Sequence, residues 1–223
     1  MFLWTDLIEL VRRPFRALRA IDARRRPGDG LVALGLSVTL PAAVAELAAL
    51  GPFRPPANLG SLPSLTAQGA DLYTRWSFQH RFVLPLYGVA LSTLLWIAAA
   101  GLIHGIARAL RGHGDFAGLL KLVGFVALTG VLALPVLLAD SLLKLQGNTH
   151  AELPVGQLAG VVSLGIFVWQ NVLLVYATRD HYAISTERAV AAVIGPIAAV
   201  LVLVIALIVF AIVLTILAQQ PRP

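Results

Sequence analysis

Five long apolar runs constrain the fold of this chain more than any other feature of its sequence. They cover approximately residues 31–50, 82–107, 116–139, 155–178 and 189–217. Roughly 20 helical residues cross a hydrocarbon core of about 30 Å, so each run is long enough to span a bilayer. With 58% hydrophobic and 13% charged residues, the chain also lacks the polar side chains that a water-soluble surface needs. The runs predict an all-α integral membrane protein with five transmembrane helices.

The basic residues predict how these spans are oriented. Cytoplasmic loops carry an excess of lysine and arginine, and a cytoplasmic N-terminus places 12 of the 17 basic residues inside. The inner set is Arg12, Arg13, Arg16, Arg19, Arg24, Arg25, Arg26, Arg108, Arg111, Lys121, Arg179 and Arg188; the outer set is Arg54, Arg75, Arg81, Lys144 and Arg222. Five spans then leave the short tail, residues 218–223, outside. Because the basic residues flank apolar runs, membrane orientation explains the pI near 10.5, and no nucleic-acid partner is expected.

Residues 1–30 are too polar to span the membrane but have a helical pattern. Apolar residues recur at helical spacing, and acidic and basic residues fall on the opposite side. The apolar set is Leu3, Trp4, Leu7, Ile8, Val11, Phe15 and Leu18, and the polar set is Asp6, Glu9, Arg13 and Arg16. This pattern predicts a basic, amphipathic interfacial helix on the cytoplasmic side, divided in two at Pro14. Such a helix either anchors and orients the first span or offers a docking surface to a cytoplasmic partner.

The loops between the spans are accounted for by local structure. The external loop, residues 51–81, begins with irregular chain rich in proline and glycine, and residues 68–81 are predicted to form a short helix. In the turn before the third span, Asp115 is expected to cap the helix and Lys121 to extend toward the inner headgroups. Before the fifth span, Ser185 or Thr186 is expected to cap the helix, with Glu187 near its positive end.

The sequence shows no residue set that would support catalysis. It has no cysteine, no paired carboxylates within the apolar runs, no HExxH spacing and no glycine-rich phosphate loop. The five histidines are scattered along the chain, so no metal site is predicted. We therefore predict a protein that is not an enzyme and carries no cofactor.

Polar and small residues within the apolar runs are the remaining candidates for function. Glu46 lies near the outer end of the first run, and Gln170 and Asn171 lie within the fourth. Such residues form hydrogen bonds between helices, or they line a transport pathway. Two GxxxG spacings, Gly101 to Gly105 and Gly156 to Gly160, predict close packing either within the bundle or with a second chain.

Three stretches resemble the Yip family of five-span membrane proteins, named for their interaction with Ypt/Rab GTPases, and in particular its prokaryotic branch. They are RRPFRAL, GHGDFAGLLKLVGF followed by a proline, and WQNVLLVYATRDHYAISTERAVAAV. The positions that carry the resemblance are Pro14, Asp115, Phe116, Gly124, Phe125, Pro135, Trp169, Ser185 and Arg188. The family commonly has tyrosine where this chain has Phe125. The eukaryotic motif Asp-Leu-Tyr-Gly-Pro has no counterpart here, because Asp71, Leu72 and Tyr73 lack the Gly-Pro and lie in the external loop.

The resemblance implies a non-enzymatic scaffold or accessory subunit in a prokaryotic cytoplasmic membrane. Its expected partners are membrane lipids and other membrane proteins, in a complex or a homo-oligomer. The candidate contact residues are Arg12, Arg13, Arg16, Arg19, Arg179, Asp180 and Arg188. The alternative that the intramembrane polar residues leave open is a small transporter or permease subunit.

Overall fold

A computed structural model describes residues 2–53, 64–146 and 149–218, and this part of the chain is helical without any strand. The helices are α1 (Phe2–Arg12), α2 (Pro14–Arg24), α3 (Pro27–Ala49), α4 (Ser64–Gln79), α5 (Leu84–Ala109), α6 (Phe116–Leu128), α7 (Leu134–Gln146), α8 (Thr149–Tyr182) and α9 (Thr186–Ala218). A 3-10 segment, Thr129–Ala133, joins α6 to α7. Helix α4 confirms the short helix expected in the loop, but it begins and ends earlier than the sequence pattern suggested.

Four stretches of the described residues are long and apolar enough to cross a membrane. They are Pro27–Ala49, Leu84–Ala109, Phe116–Gln146 and Leu153–Tyr182, and they match the first four predicted runs. The predicted fifth run coincides with α9, a helix of 33 residues, many of whose side chains lie outside the described part of the structure. The chain is therefore a helical membrane protein with at least these four candidate spans, and the fifth stays a prediction.

The contacts between helices define which ends of the spans lie together. Gly30 meets Gly124, and Gly51 meets Lys144, so α3 runs parallel to α6 and α7. In contrast, α8 is antiparallel to that pair, because Gln170 reaches Ala127 while the later His181 reaches Asp115. One end of the bundle thus gathers α2, the α5–α6 turn and the α8–α9 turn. We call it the arginine-rich end.

Helix α6 is the centre of the bundle. All its residues from Gly118 to Leu128 are buried except Leu120, and Phe125 is fully buried. Two backbones approach each other closely here, because a Cβ atom at Gly124 would overlap the carbonyl group of Gly30. Small residues permit such close contacts between membrane helices. Gly124 therefore sets the spacing of α3 and α6.

The α6–α7 span is interrupted midway. Pro135, in the first turn of α7, has no N–H to continue the α-helical ladder, and residues 129–133 adopt the 3-10 form before it. Just before the interruption, the side chain of Gln170 donates a hydrogen bond of 3.2 Å to the Ala127 carbonyl oxygen. A buried amide of α8 thus satisfies a carbonyl at the helix break.

The two N-terminal helices pack against the bundle, with part of their apolar surface inside. Pro14 begins α2 as predicted. Several apolar residues of both helices belong to the buried core, namely Leu7, Leu10, Leu18 and Ile21. Asp6, which the pattern assigned to the polar side, is nearly buried and forms an ion pair of 2.9 Å with Arg25. The expectation of one apolar face directed to the membrane was therefore incomplete, because the bundle covers about half of it.

Candidate functional site

A polar cluster at the arginine-rich end joins four helices and one turn. It comprises Asp22 of α2, His104 of α5, Asp115 of the α5–α6 turn, Lys121 of α6, and His181 and Tyr182 of α8. We call it the His181 network. Sequence reasoning considered most of these residues singly and did not bring them together.

His181 is the hub of the network. Its Nδ1 lies 3.0 Å from the Asp22 carboxylate, and its Nε2 lies 3.0 Å from the Asp115 carbonyl oxygen. Both ring nitrogens of His181 therefore face an acceptor oxygen. The next residue, Tyr182, is fully buried, and its hydroxyl oxygen lies 2.5 Å from Nδ1 of His104. Two of the five histidines, expected to be scattered, therefore converge on Tyr182.

Lys121 does not extend toward headgroups, which corrects the expectation from sequence. Only 6% of the residue is exposed, and its ammonium nitrogen lies 2.9 Å from the Asp22 carboxylate and 2.6 Å from the Asp22 carbonyl oxygen. A buried ammonium group requires such partners, because desolvating an unpaired charge is costly. The lysine thereby ties α2 to α6.

Glycines make room for the network. A Cβ at Gly112 or Gly114 would lie within 3 Å of Tyr182, and one at Gly118 would overlap the His181 ring. The backbone N–H of His113 donates a hydrogen bond of 3.2 Å to the Tyr182 carbonyl oxygen. The GHGDFAG stretch thus wraps around the end of α8, and side chains larger than hydrogen at these glycines would displace it.

The network lowers the pKa of both its carboxyl groups. Burial raises the pKa of Asp22, but hydrogen bonds and positive charge from His181 and Lys121 outweigh it and bring the pKa below 3.8. The pKa of Asp115 is lowered mainly by a hydrogen bond from the Gly118 N–H, which is the predicted helix cap and measures 2.7 Å. Both carboxylates are ionised at neutral pH.

The stretches that build this site are also those of a recognised family. A family model described as the Yip1 domain matches residues 8–217, almost the whole chain. The chain belongs to the Yip1 domain family. No curated protein and no solved structure matches it. Members of the family are membrane proteins without a known enzymatic role, in agreement with the apolar helices.

The positions that carry the resemblance in the sequence lie mainly on the α6–α7 span and on the segment from α8 to α9. Asp115, Gly124, Phe125 and Pro135 belong to the cap, the core and the break of the α6–α7 span, as described above. Phe116 lies edge-on to His104 at 5.6 Å between ring centres. Trp169 is half-buried against the core, and Ser185 precedes α9 and hydrogen-bonds Glu187, whose pKa it lowers. Most of these positions thus hold the bundle together.

The candidate arginines differ in how they are engaged. Arg12, Arg13 and Arg16 are exposed, and their side chains form no ion pair or hydrogen bond with another described residue. Arg179 pairs with Asp180 at 2.7 Å, and Arg19 approaches the same carboxylate at 3.9 Å. Arg188 donates a long hydrogen bond of 3.4 Å to the Leu110 carbonyl oxygen. The arginines around the α1–α2 junction are therefore the ones available to a partner.

The intramembrane polar residues do not converge. Gln170 is 7% exposed and bonds to α6, whereas Asn171 donates to the Phe167 carbonyl oxygen of its own helix at 2.8 Å. Glu46 is half-exposed and lies five residues before Gly51, near the opposite end of α3. The three side chains form no common pathway in the described structure.

The glycines of the two GxxxG spacings do not form the close helix contacts of the bundle. A Cβ at Gly101, Gly105 or Gly160 would meet nothing within 4 Å, and one at Gly156 would meet Asp140 at 3.4 Å. The Gly101 to Gly105 spacing therefore does not pack within the described bundle. The close contact lies instead between Gly30 and Gly124.

The ion pair between Lys121 and Asp22 was not predicted, although the sequence around each residue has an unusual feature. Lys121 lies in an apolar run with glycines three residues before and three after it, at 118 and 124. Residues three apart share a helix face, so this pattern marks a lysine on a surface that another element approaches closely. The partner, Asp22, is the one acidic residue among the arginines from 12 to 26. Nothing in the sequence connects the two.

Proposed function

We propose that this Yip1-domain chain is a non-enzymatic scaffold or accessory subunit that binds other membrane proteins or a cytoplasmic partner. The observation that carries the proposal is the α1–α2 unit, which ion pairs and buried side chains tie to the bundle while other apolar and basic residues stay exposed. Asp22 connects this unit to Lys121 and His181 of the bundle. The ion pair between Asp6 of α1 and Arg25, which follows α2, connects its two helices. A rigid surface costs less conformational entropy when a partner binds it.

The unused apolar residues form a ridge on α1. Trp4, Ile8 and Val11 follow the spacing of one helix face, and they are 56%, 52% and 49% exposed. Arg12, Arg13 and Arg16 follow immediately. An apolar ridge beside unpaired arginines suits a membrane interface with anionic lipids, where the ridge inserts and each arginine adds about 1 kcal/mol of attraction. It suits equally an acidic partner docked at that interface.

The proposal includes five spans with the N-terminus inside the cell and the C-terminus outside. Supporting it, Arg25, Lys121, Arg179 and Arg188 lie at one end of the bundle, whereas Arg81 bonds the Ala49 carbonyl oxygen at the other. The segregation of basic residues along the chain is thus also a segregation in space. We place the protein in a prokaryotic cytoplasmic membrane.

Purification in mild detergent tests the proposal. The wild-type chain is expected to recover other membrane or cytoplasmic proteins in stoichiometric amounts, and the triple change Trp4→Ser, Ile8→Ser and Val11→Ser to lose them. The matched control is Leu91→Ser, Leu94→Ser and Leu95→Ser on α5, where the leucines are slightly more exposed, at 60%, 64% and 60%. Recovery of the chain alone from wild-type membranes would contradict the scaffold role. Cysteine labelling from each side of the membrane tests the orientation separately.

A further inference from the structure

An apolar groove lies between α8 and α9. Its volume is about 480 Å³, and its walls are formed mainly by Phe167, Val172 and Tyr176 of α8 and by Val190, Ile194 and Ile197 of α9. Asn171 is the polar exception within the spans, and its amide nitrogen is already bonded to Phe167. The groove therefore offers an apolar surface to whatever enters it.

The groove has the length of one bilayer leaflet. It runs along α9 from Thr186, at the arginine-rich end, to Ile197. At a rise of 1.5 Å per residue these eleven steps cover about 16 Å. Half of a 30 Å hydrocarbon core is about 15 Å. With α9 as the proposed fifth span, the groove would begin at the level of the headgroups and end near the bilayer midplane.

The mouth of the groove carries an excess of positive charge. The guanidinium of Arg179 lies 4.7 Å from the centre of the ring of Tyr176, which lines the groove, and Phe15 packs on the same ring at 4.1 Å. Arg19 and Arg179 share the single carboxylate of Asp180. Arg188 follows Glu187 at the start of α9, and its positive charge acts on that carboxylate, so Arg19, Arg179 and Arg188 stand against Asp180 and the exposed Glu187. This surplus is suited to a phosphate group.

We propose that this groove binds an acyl chain of an anionic phospholipid whose phosphate lies among these arginines. The alternative occupant is a helix of a second copy or of another protein. An anionic phospholipid fits better because it carries its negative charge at one end of an apolar chain, which matches the arginines at the mouth and the apolar walls. An extended hydrocarbon chain is narrow enough to enter. The site is independent of the scaffold role, because it lies on α8 and α9 rather than on the α1 ridge.

Photocrosslinking tests the site directly. The purified full-length chain is reconstituted in phosphatidylcholine nanodiscs with a small fraction of phosphatidylglycerol that carries a diazirine on its acyl chain. After irradiation, the labelled peptides are expected to map to residues 167–176 and 186–197. Label distributed evenly over the lipid-facing helices would overturn the proposal, and so would label that is absent from these two segments.

Variants separate the groove from the general lipid surface. Val190→Trp fills the groove and is expected to remove the label, whereas Val202→Trp, also exposed on α9 but outside the groove, retains it. Arg179→Gln is expected to reduce the preference for phosphatidylglycerol over phosphatidylcholine by about fivefold, as for the loss of one cation near an anionic headgroup. Because Arg179→Gln leaves the groove walls intact, it keeps the test valid if Val190→Trp fails to fold. An unchanged preference in Arg179→Gln would contradict the headgroup assignment.

Discussion

The change Asp22→Asn is expected to release α2 from the bundle. Asp22 is the shared partner of Lys121 and His181, so the substitution leaves a nearly buried ammonium group with the Asp22 carbonyl oxygen alone. Breaking a fully buried ion pair costs about 3–5 kcal/mol, and breaking an exposed one at most about 1 kcal/mol. The Asp22 side chain is 31% exposed while that of Lys121 is 7% exposed. We therefore expect an intermediate cost of about 2 kcal/mol.

Amide hydrogen exchange measures this cost locally. If α2 opens separately from the rest of the bundle, a loss of about 2 kcal/mol raises the exchange rates of its amides roughly 30-fold. The amides of α6 are expected to be nearly unchanged, because their hydrogen bonds lie within the core. Exchange in detergent micelles, followed by mass spectrometry of the peptides covering residues 14–24, reports the difference.

Two further variants test whether the ion pair with Lys121 holds α2 on the bundle. Asp180→Asn removes a carboxylate from a surface pair that is about as exposed as Asp22, and it should raise exchange by at most about fivefold. Adding Lys121→Met to Asp22→Asn removes the unpaired ammonium as well, and it should restore most of the protection. If Asp22→Asn had no more effect than Asp180→Asn, the network would not be what holds α2.

Other parts of the structure give predictions of the same kind. Gly124→Ala should lower stability by about 1–3 kcal/mol, because the added methyl overlaps a backbone carbonyl, while Gly101→Ala, with open space around it, should not lower it; thermal unfolding compares them. Gln170→Leu should cost about 0.6–2 kcal/mol by the same assay, and Asn171→Leu less, because only the first residue joins two helices. The pKa of Asp115 is lower in the folded chain, so in acid the unfolded chain binds more protons at this carboxyl group than the folded chain does. The stabilising effect of Asp115 is therefore present at neutral pH and lost in acid. An unfolding curve for Asp115→Asn that depends on acid as strongly as the wild type would contradict this.

Much of the fold could be predicted from local sequence. Helix position follows from apolar runs longer than a bilayer is thick, and Asp115 could be recognised as a cap because its side chain acts on the next turn of the same chain. The amphipathic pattern of residues 1–24 was also read correctly as helical. The pattern did not predict which apolar residues pack against the bundle. Periodicity shows that a helix has an apolar face, but it does not show which other helix covers that face.

The candidate site was much less accessible to sequence reasoning. Lys121 was expected to extend toward headgroups, since an isolated lysine near the end of a span ordinarily does so. Its actual partner is 99 residues away in the chain, and such a contact leaves no local signature. Gln170 and Asn171, adjacent in sequence, were treated as one pair, yet only one of them reaches another helix.

The sequence by itself determined that this chain is a helical membrane protein of the Yip1 domain family. Those properties depend on the length, hydropathy and order of residues along the chain. The tertiary structure decided that Asp22, Lys121 and His181 form one network and that the close backbone contact is between Gly30 and Gly124. It also decided that α8 and α9 leave a groove one leaflet long. These features arise only when distant segments pack, because desolvation, charge pairing and the space beside a glycine depend on the neighbours that packing supplies.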